Sequence, residues 1–140
     1  CVSTLFNVTG TDARNVFQQS QMLTVANAVE ARQLTGAATA VEAAHALARY
    51  GEGAVVTLGG EGALVASDGA LTRLPAPAVR VVDTTGAGDV FCGALAEGLA
   101  RLADLPAAAA TAVAAGAFAV TALGARGALP RPTDLRPHHP

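Results

Sequence analysis

Short β-branched runs alternate along this chain with alanine-rich stretches of helical spacing, and glycines mark many of the junctions. A run that is apolar at every position must be covered on both faces, as in a parallel sheet flanked by helices. "AVVTL" (Ala54–Leu58) is such a run, with Gly53 before it and Gly59 after. "VSTLF" (Val2–Phe6) and "MLTVA" (Met22–Ala26) read in the same way. Between those two, "TDARNVFQQS" reads as a short helix capped by Thr11 or Asp12. A second helix is predicted through "AVEARQL", with Asn27 or a neighbour as its cap and Gly36 at its close. A third, "TAVEAAHALARY" (Thr39–Tyr50), carries the capping-box pair Thr39 and Glu42. Its apolar face is expected to include Val41, Ala44, Leu47 and Ala48. Asp68-Gly69, between "ALVA" and "LTRL", signals a two-residue β-hairpin. "AVRVV" (Ala78–Val82) is a further extended stretch. A helix is expected from about Asp89 to Arg101, and Pro106 suits the first turn of another. This order predicts an α/β fold with a mostly parallel sheet and one hairpin. Residues 131–140, rich in proline, are expected to form a flexible tail.

Composition narrows the function. The 140 residues are 51% hydrophobic and 14% charged, enough apolar material for a sizeable core. A formal net charge of -2 and the lack of a basic stripe argue against a nucleic-acid partner. All nine cations are arginines, which rules out a lysine-based P-loop or Schiff base within these residues. Two cysteines, Cys1 and Cys92, imply no disulfide framework and suit a reducing cytoplasm. Leu105–Ala125 carries no charge, but alanine, glycine and threonine dominate it. A membrane helix needs about 20 strongly apolar residues, so a buried helix is expected and no membrane partner.

"VVDTTGAGDVFCGAL" (Val81–Leu95) concentrates three glycines, two acids and two threonines at a strand-to-helix junction. Gly86 and Gly88 allow a tight turn that presents successive backbone N–H groups at a helix N-terminus. Such groups, with the helix dipole, make an anion site. Asp89 stands at the same end. An anion site beside a carboxylate suits phosphoryl transfer: the first stabilises the moving group and the second orients or deprotonates a hydroxyl. Gly88 and Gly93 have P-loop spacing, but Ala94-Leu95 replace the required Lys-Ser/Thr. Gly86-x-Gly88 lacks a third glycine at Phe91, so the dinucleotide fingerprint fails as well. The plain structural alternative is a glycine turn whose Asp89 merely caps a helix.

"DTTGAGDVFCGALAEGL" resembles the C-terminal signature of the ribokinase-like (PfkB) carbohydrate kinases. "VANAVEARQLTG", "VVTLGGEGALV" and "AAGAFAVTALGARGALP" resemble further segments of that family, in order along the chain. The resemblance is nearest to the ribokinases. It implies a three-layer α/β sandwich of which residues 1–130 form the C-terminal, nucleotide-binding portion. It also implies ATP-dependent phosphorylation of a sugar hydroxyl. Asp89 would be the general base, with Gly86, Ala87 and Gly88 as the anion hole. Asn27 and Glu30 would help place the phosphates and Mg²⁺, with Glu30 acting through water. Alone, Glu30 reads as a solvated helix residue. Thr57, Gly59, Val113 and Gly116 would lie beside the nucleotide. The carbonyls of Asp83 and Thr85 would form part of a K⁺ site, closed by the loop Gly124–Ala128. A homodimer is implied for the full-length protein.

There are departures from the family pattern. Ala26 replaces the usual proline, Ala28 the usual glutamate, and Ala128 a frequent serine; Val113 stands where many members are polar. The substrate-binding half and lid of the family are not matched by these residues. Positioning of both reactants is needed for catalysis, so the 140 residues alone are expected to be inactive. A non-catalytic remnant that still binds nucleotide is the alternative. His45, His138 and His139 read as exposed or structural, and Cys92 as a small core residue.

Overall fold

The computed structural model describes residues 3–7, 21–101, 103–124, 126, 129–131 and 134. The helix expected over residues 11–20 and most of the tail lie outside them. The described residues fall into two compact units, drawn from Cys1–Gly59 with Ala63–Arg73 and from Gly60–Gly62 with Leu74–Pro140.

The first unit is built on a five-stranded sheet in the order β1-β2-β3-β4-β5. The strands are β1 (Ser3–Asn7), β2 (Gln21–Asn27), β3 (Gly53–Thr57), β4 (Ala63–Ser67) and β5 (Ala70–Leu74). The sheet is mixed. β2 and β3 are parallel, as expected of strands joined through helices, while β1–β2 and β3–β4 are antiparallel. The β4–β5 turn uses Asp68 and Gly69, both at positive φ (51° and 75°), the conformation that an Asp-Gly hairpin supplies. Two helices, α1 (Ala28–Thr35) and α2 (Ala40–Ala48), occupy the connection from β2 to β3.

Both helices carry a full capping box. In α2, Thr39 Oγ1 accepts from the Glu42 N–H at 3.2 Å, and Glu42 Oε2 accepts from the Thr39 N–H at 3.3 Å. The apolar side of α2 is Ala43, Ala44 and Leu47, which pack with Ala31, Ala26, Ala54, Val56, Leu64 and Ala66. Val41, expected on that face, is exposed. Residues 41, 44 and 48 and residues 40, 43, 44 and 47 are both acceptable helical stripes, and in an alanine-rich helix only the neighbouring sheet chooses between them. Along β3, Val55 is as completely buried as Ala54 and Val56, so neither face of the strand meets water.

The second unit centres on α3 (Ala87–Ala100) and α4 (Leu105–Ala119), packed against each other. Asp104 caps α4 by accepting from the Ala107 N–H at 2.8 Å, with Pro106 in the first turn as expected. Phe91 and Leu95 of α3 and Ala108, Ala109, Ala112, Val113, Ala115 and Ala119 of α4 are buried. Small residues let the helices approach closely: a Cβ added to Gly98 would lie 2.9 Å from Ala108 Cβ and 3.1 Å from its Cα. Cys92 is half-buried rather than part of this core. None of the described helices is long and apolar enough to cross a membrane.

Two local expectations differ from what is found. α3 begins at Ala87, two residues earlier than expected, which places Asp89 inside the first helical turn. Ala78–Val82 forms no strand. Its last N–H group (Val82), with that of Asp83, instead donates to the Val120 carbonyl at the end of α4, at 2.7 and 3.2 Å. A helix terminus with orphan carbonyls competes successfully with a sheet edge for those donors.

The crossing at Gly98 yields a test. Helix propensity alone favours Gly98→Ala by about 1 kcal/mol. Overpacking against Ala108 costs about 1–3 kcal/mol. The variant is expected to be less stable than the parent in urea unfolding; a stabilised variant would show that the helices can separate freely.

Candidate nucleotide and phosphoryl-transfer site

The loop before α3 is held by one carboxylate. Asp83 Oδ1 accepts from the Thr85 N–H at 2.9 Å and from the Thr85 hydroxyl at 2.7 Å. Asp83 Oδ2 accepts from the N–H of Gly124, 41 residues further on, at 2.8 Å. With the bonds from Val82 and Asp83 to Val120, these tie the loop entering α3 to the turn leaving α4. The Thr85 hydroxyl first, then the Thr85 and Gly124 N–H groups, hold the Asp83 carboxyl below its ordinary value of 3.8. The carbonyls of Asp83 and Thr85, expected at a cation site, take no part in these bonds.

The chain then turns at Gly86, which caps α3 with φ +79° and no side-chain cap. A left-handed backbone suits glycine, and the missing side chain leaves the helix N-terminus open. The first N–H groups of a helix have no partner within it. Ala87 N–H is engaged, donating to the Thr84 carbonyl at 3.3 Å. Among the described residues, the N–H groups of Gly88 and Asp89 find no acceptor. The positive end of the dipole therefore projects from an uncapped terminus, with the Asp89 carboxylate exposed on the same turn.

Gly86 and Asp89 line a cleft of about 720 Å³ together with Gly93, Glu97, Arg101, Arg126 and Leu129. Glu97 and Arg101 form an ion pair across one helical turn. Val113 and Gly116, expected near a nucleotide, lie on the packed side of α4. Val113 is 7% exposed. A Cβ at Gly116 would meet the Ala87 carbonyl at 3.7 Å and Phe91 Cβ at 3.8 Å, so this glycine sits directly against the first turns of α3.

In the first unit, the register places Asn27 opposite Thr57 at the carboxyl ends of the parallel pair β2 and β3. Ligands of open α/β sheets bind at such ends. Asn27 Oδ1 accepts from the Glu30 N–H at 2.9 Å, and Glu30 Oε2 accepts from the Asn27 N–H at 3.2 Å. The Asn-x-x-Glu pattern thus forms the capping box of α1. Gly59 follows Thr57 by two residues and opens a 3₁₀ turn. Asn27, Glu30, Thr57 and Gly59 therefore belong to one strand-end cluster. Asp83, Thr85, Gly86, Ala87, Gly88 and Asp89 belong to one loop and helix start in the other unit. Among the described residues, no group of three or more His, Cys, Asp or Glu could hold a metal ion. Ala128 and much of the loop that was to close a cation site lie outside the described residues.

Sequence reasoning considered Asp83 only through its carbonyl and did not single out Arg126, Glu97 or Arg101. The Asp83 bond to Gly124 has no local signal, because its partners are 41 residues apart. Arg126 stands between Ala125 and Gly127 in the sequence, where residue type alone does not say what the side chain faces.

The pfkB family of carbohydrate kinases has a sequence model that matches residues 7–132, and the chain belongs to that family. It is 44% identical over 115 residues to the aminoimidazole riboside kinase of Salmonella typhimurium, covering 78% of this chain and 36% of that enzyme. The crystal structure of aminoimidazole riboside kinase from Salmonella enterica, complexed with aminoimidazole riboside and an ATP analogue, superposes with a TM-score of 0.72 and 41% identity. That match covers 81% of this chain and 40% of the other. A fructokinase double mutant from Vibrio cholerae, in a fructose-, ADP- and potassium-bound form, gives a TM-score of 0.71 at 36% identity, over 81% of this chain and 39% of that one. The chain thus spans well under half the length of these relatives.

The Asp83 clamp predicts a pH dependence. Its folded-state pKa is depressed, so its stabilisation is fully present above the ordinary carboxylate value of 3.8. It is lost as pH falls through the lowered folded-state value. Asp83→Ala is therefore expected to lower the melting temperature most at neutral pH, with the gap to wild type closing at pH values below the ordinary value. A gap that stays constant across that range would show that the carboxylate charge does not hold the loop.

Proposed function

We propose that this chain supplies the nucleotide-binding and catalytic-base portion of an ATP-dependent kinase acting on a sugar hydroxyl. The observation that carries the reading is the uncapped N-terminus of α3, with the Gly88 and Asp89 N–H groups lacking acceptors and the Asp89 carboxylate in the same turn. Open amides stabilise negative charge on a phosphoryl group in flight. The carboxylate beside them takes the proton of the attacking hydroxyl. The acceptor oxygen forms the new bond to the terminal phosphorus of ATP as the bond to the bridging oxygen breaks. ADP leaves with that electron pair, and the proton passes from the hydroxyl to Asp89.

Asn27, Glu30, Thr57 and Gly59, at the carboxyl ends of β2 and β3, suit the nucleotide phosphates and their metal. Few protein ligands are needed for Mg²⁺, which keeps water and phosphate oxygens as most of its ligands. Glu30 would hold it through water, where the ion would supply charge neutralisation on the polyphosphate. The capping box orients Glu30 for that second task. The Asp83 and Thr85 carbonyls, left out of the loop's own bonds, suit a monovalent cation such as K⁺. Since the chain spans 36–40% of its Salmonella relatives, the groups that would press a sugar against the exposed Asp89 are assigned to sequence outside these 140 residues. The isolated chain is then expected to bind nucleotide without turning over sugar.

In a protein that contains this chain and phosphorylates a sugar, Asp89→Asn is expected to lower kcat by several orders of magnitude. KM for ATP is expected to change little. Steady-state kinetics decide: undiminished kcat in a folded variant would remove Asp89 from the role of base.

A further inference from the structure

Resting on the kinase reading of Asp89, we propose that Arg126 is an anion-binding residue of the same cleft, holding a phosphoryl group near the start of α3. Gly86 and Asp89 line one part of that cleft and Arg126 another. Its charges are unevenly matched. Arg101 is already paired with Glu97 along α3. Arg126 is exposed, and among the described residues no carboxylate pairs with it. An unpaired guanidinium facing a cleft that also holds a catalytic carboxylate has a clear chemical use. A carboxylate next to an entering phosphate repels it, and a fixed positive charge in the same cleft offsets that repulsion. Guanidinium also matches phosphate geometry, offering two parallel donors. The chain has no lysine that could serve instead.

In sequence, Arg126 follows by two residues Gly124, whose N–H is held by Asp83 Oδ2 at 2.8 Å. The same carboxylate shapes the turn that leads into Gly86. One carboxylate therefore joins the loop that precedes the open amides of α3 to Gly124. The phosphoryl group has two possible sources: the terminal phosphate of ATP, or a phosphate already carried by the acceptor.

Calorimetric titration of the 140-residue chain tests this, with ATP, ADP, ribose and ribose 5-phosphate as probes against wild type, Arg126→Ala and Arg126→Lys. If the source is ATP, Arg126→Ala weakens ATP about tenfold or more, leaves ADP within about twofold, and Lys restores part of the loss. If the source is the acceptor, the ATP to ADP ratio is unchanged and ribose 5-phosphate loses its advantage over ribose. An Arg126→Ala chain that binds all four probes as wild type does overturns the role of Arg126 while leaving the kinase reading intact. A wild-type chain that binds neither ATP nor ADP overturns the kinase reading, and this inference with it. Thermal unfolding of both variants checks that a change at this exposed position has not altered the fold.

Discussion

Three hydrogen bonds to one carboxylate organise the chemistry of this chain. Asp83 gathers Thr85 on its own loop and Gly124 from beyond α4. Without it the glycine loop would be free to choose among many turns, since Gly86 and Gly88 restrict the backbone little. With it, Gly86 is fixed in the left-handed conformation that ends the loop and starts α3. The helix then begins with no side-chain cap, and its N-terminal amides stay open. Helix ends normally satisfy those donors with a Ser, Thr, Asp or Asn. Leaving them unsatisfied is an energetic concession that a bound anion can offset.

The other helices show the contrast. α1 and α2 have complete capping boxes and α4 is capped by Asp104. Among the described residues, three of the four α-helices thus close their N-termini with a side chain, and the one that does not carries Asp89. At α1 the closing residues are also those expected to serve the nucleotide. Asn27 and Glu30 satisfy each other's backbone, and this holds the Glu30 carboxylate at the carboxyl end of β2, opposite the end of β3. Structural and functional roles are compatible there because a carboxylate has more acceptor capacity than one backbone N–H uses.

Much of this was legible from local pattern. The Thr39–Glu42 and Asn27 caps, the Gly36 close of α1, the Asp68-Gly69 turn and the Pro106 start of α4 follow from residue type at fixed offsets, and the structure has each of them. The family was legible because four motifs occur in order. What escaped was decided by partners distant in sequence. The stripe of α2 that is buried depends on the sheet beneath it, since alanine on either side reads alike. Ala78–Val82 has the composition of a strand, yet the Val120 carbonyl, nearly 40 residues away, takes the donors at its end. Val113 and Gly116 were expected beside a ligand because of their place in the matched segment. Val113 is buried and Gly116 is half-buried against the first turns of α3, a placement set by the α3–α4 contact.

The central claim is that the open amides of α3 bind phosphate. Amide-resolved NMR of the ¹⁵N-labelled chain during titration with ATP tests it most directly. The account predicts that the largest shift changes fall on the N–H groups of Gly86, Gly88 and Asp89, with Gly124 responding through the Asp83 clamp. Saturable ATP binding that leaves those four amides unmoved would contradict it.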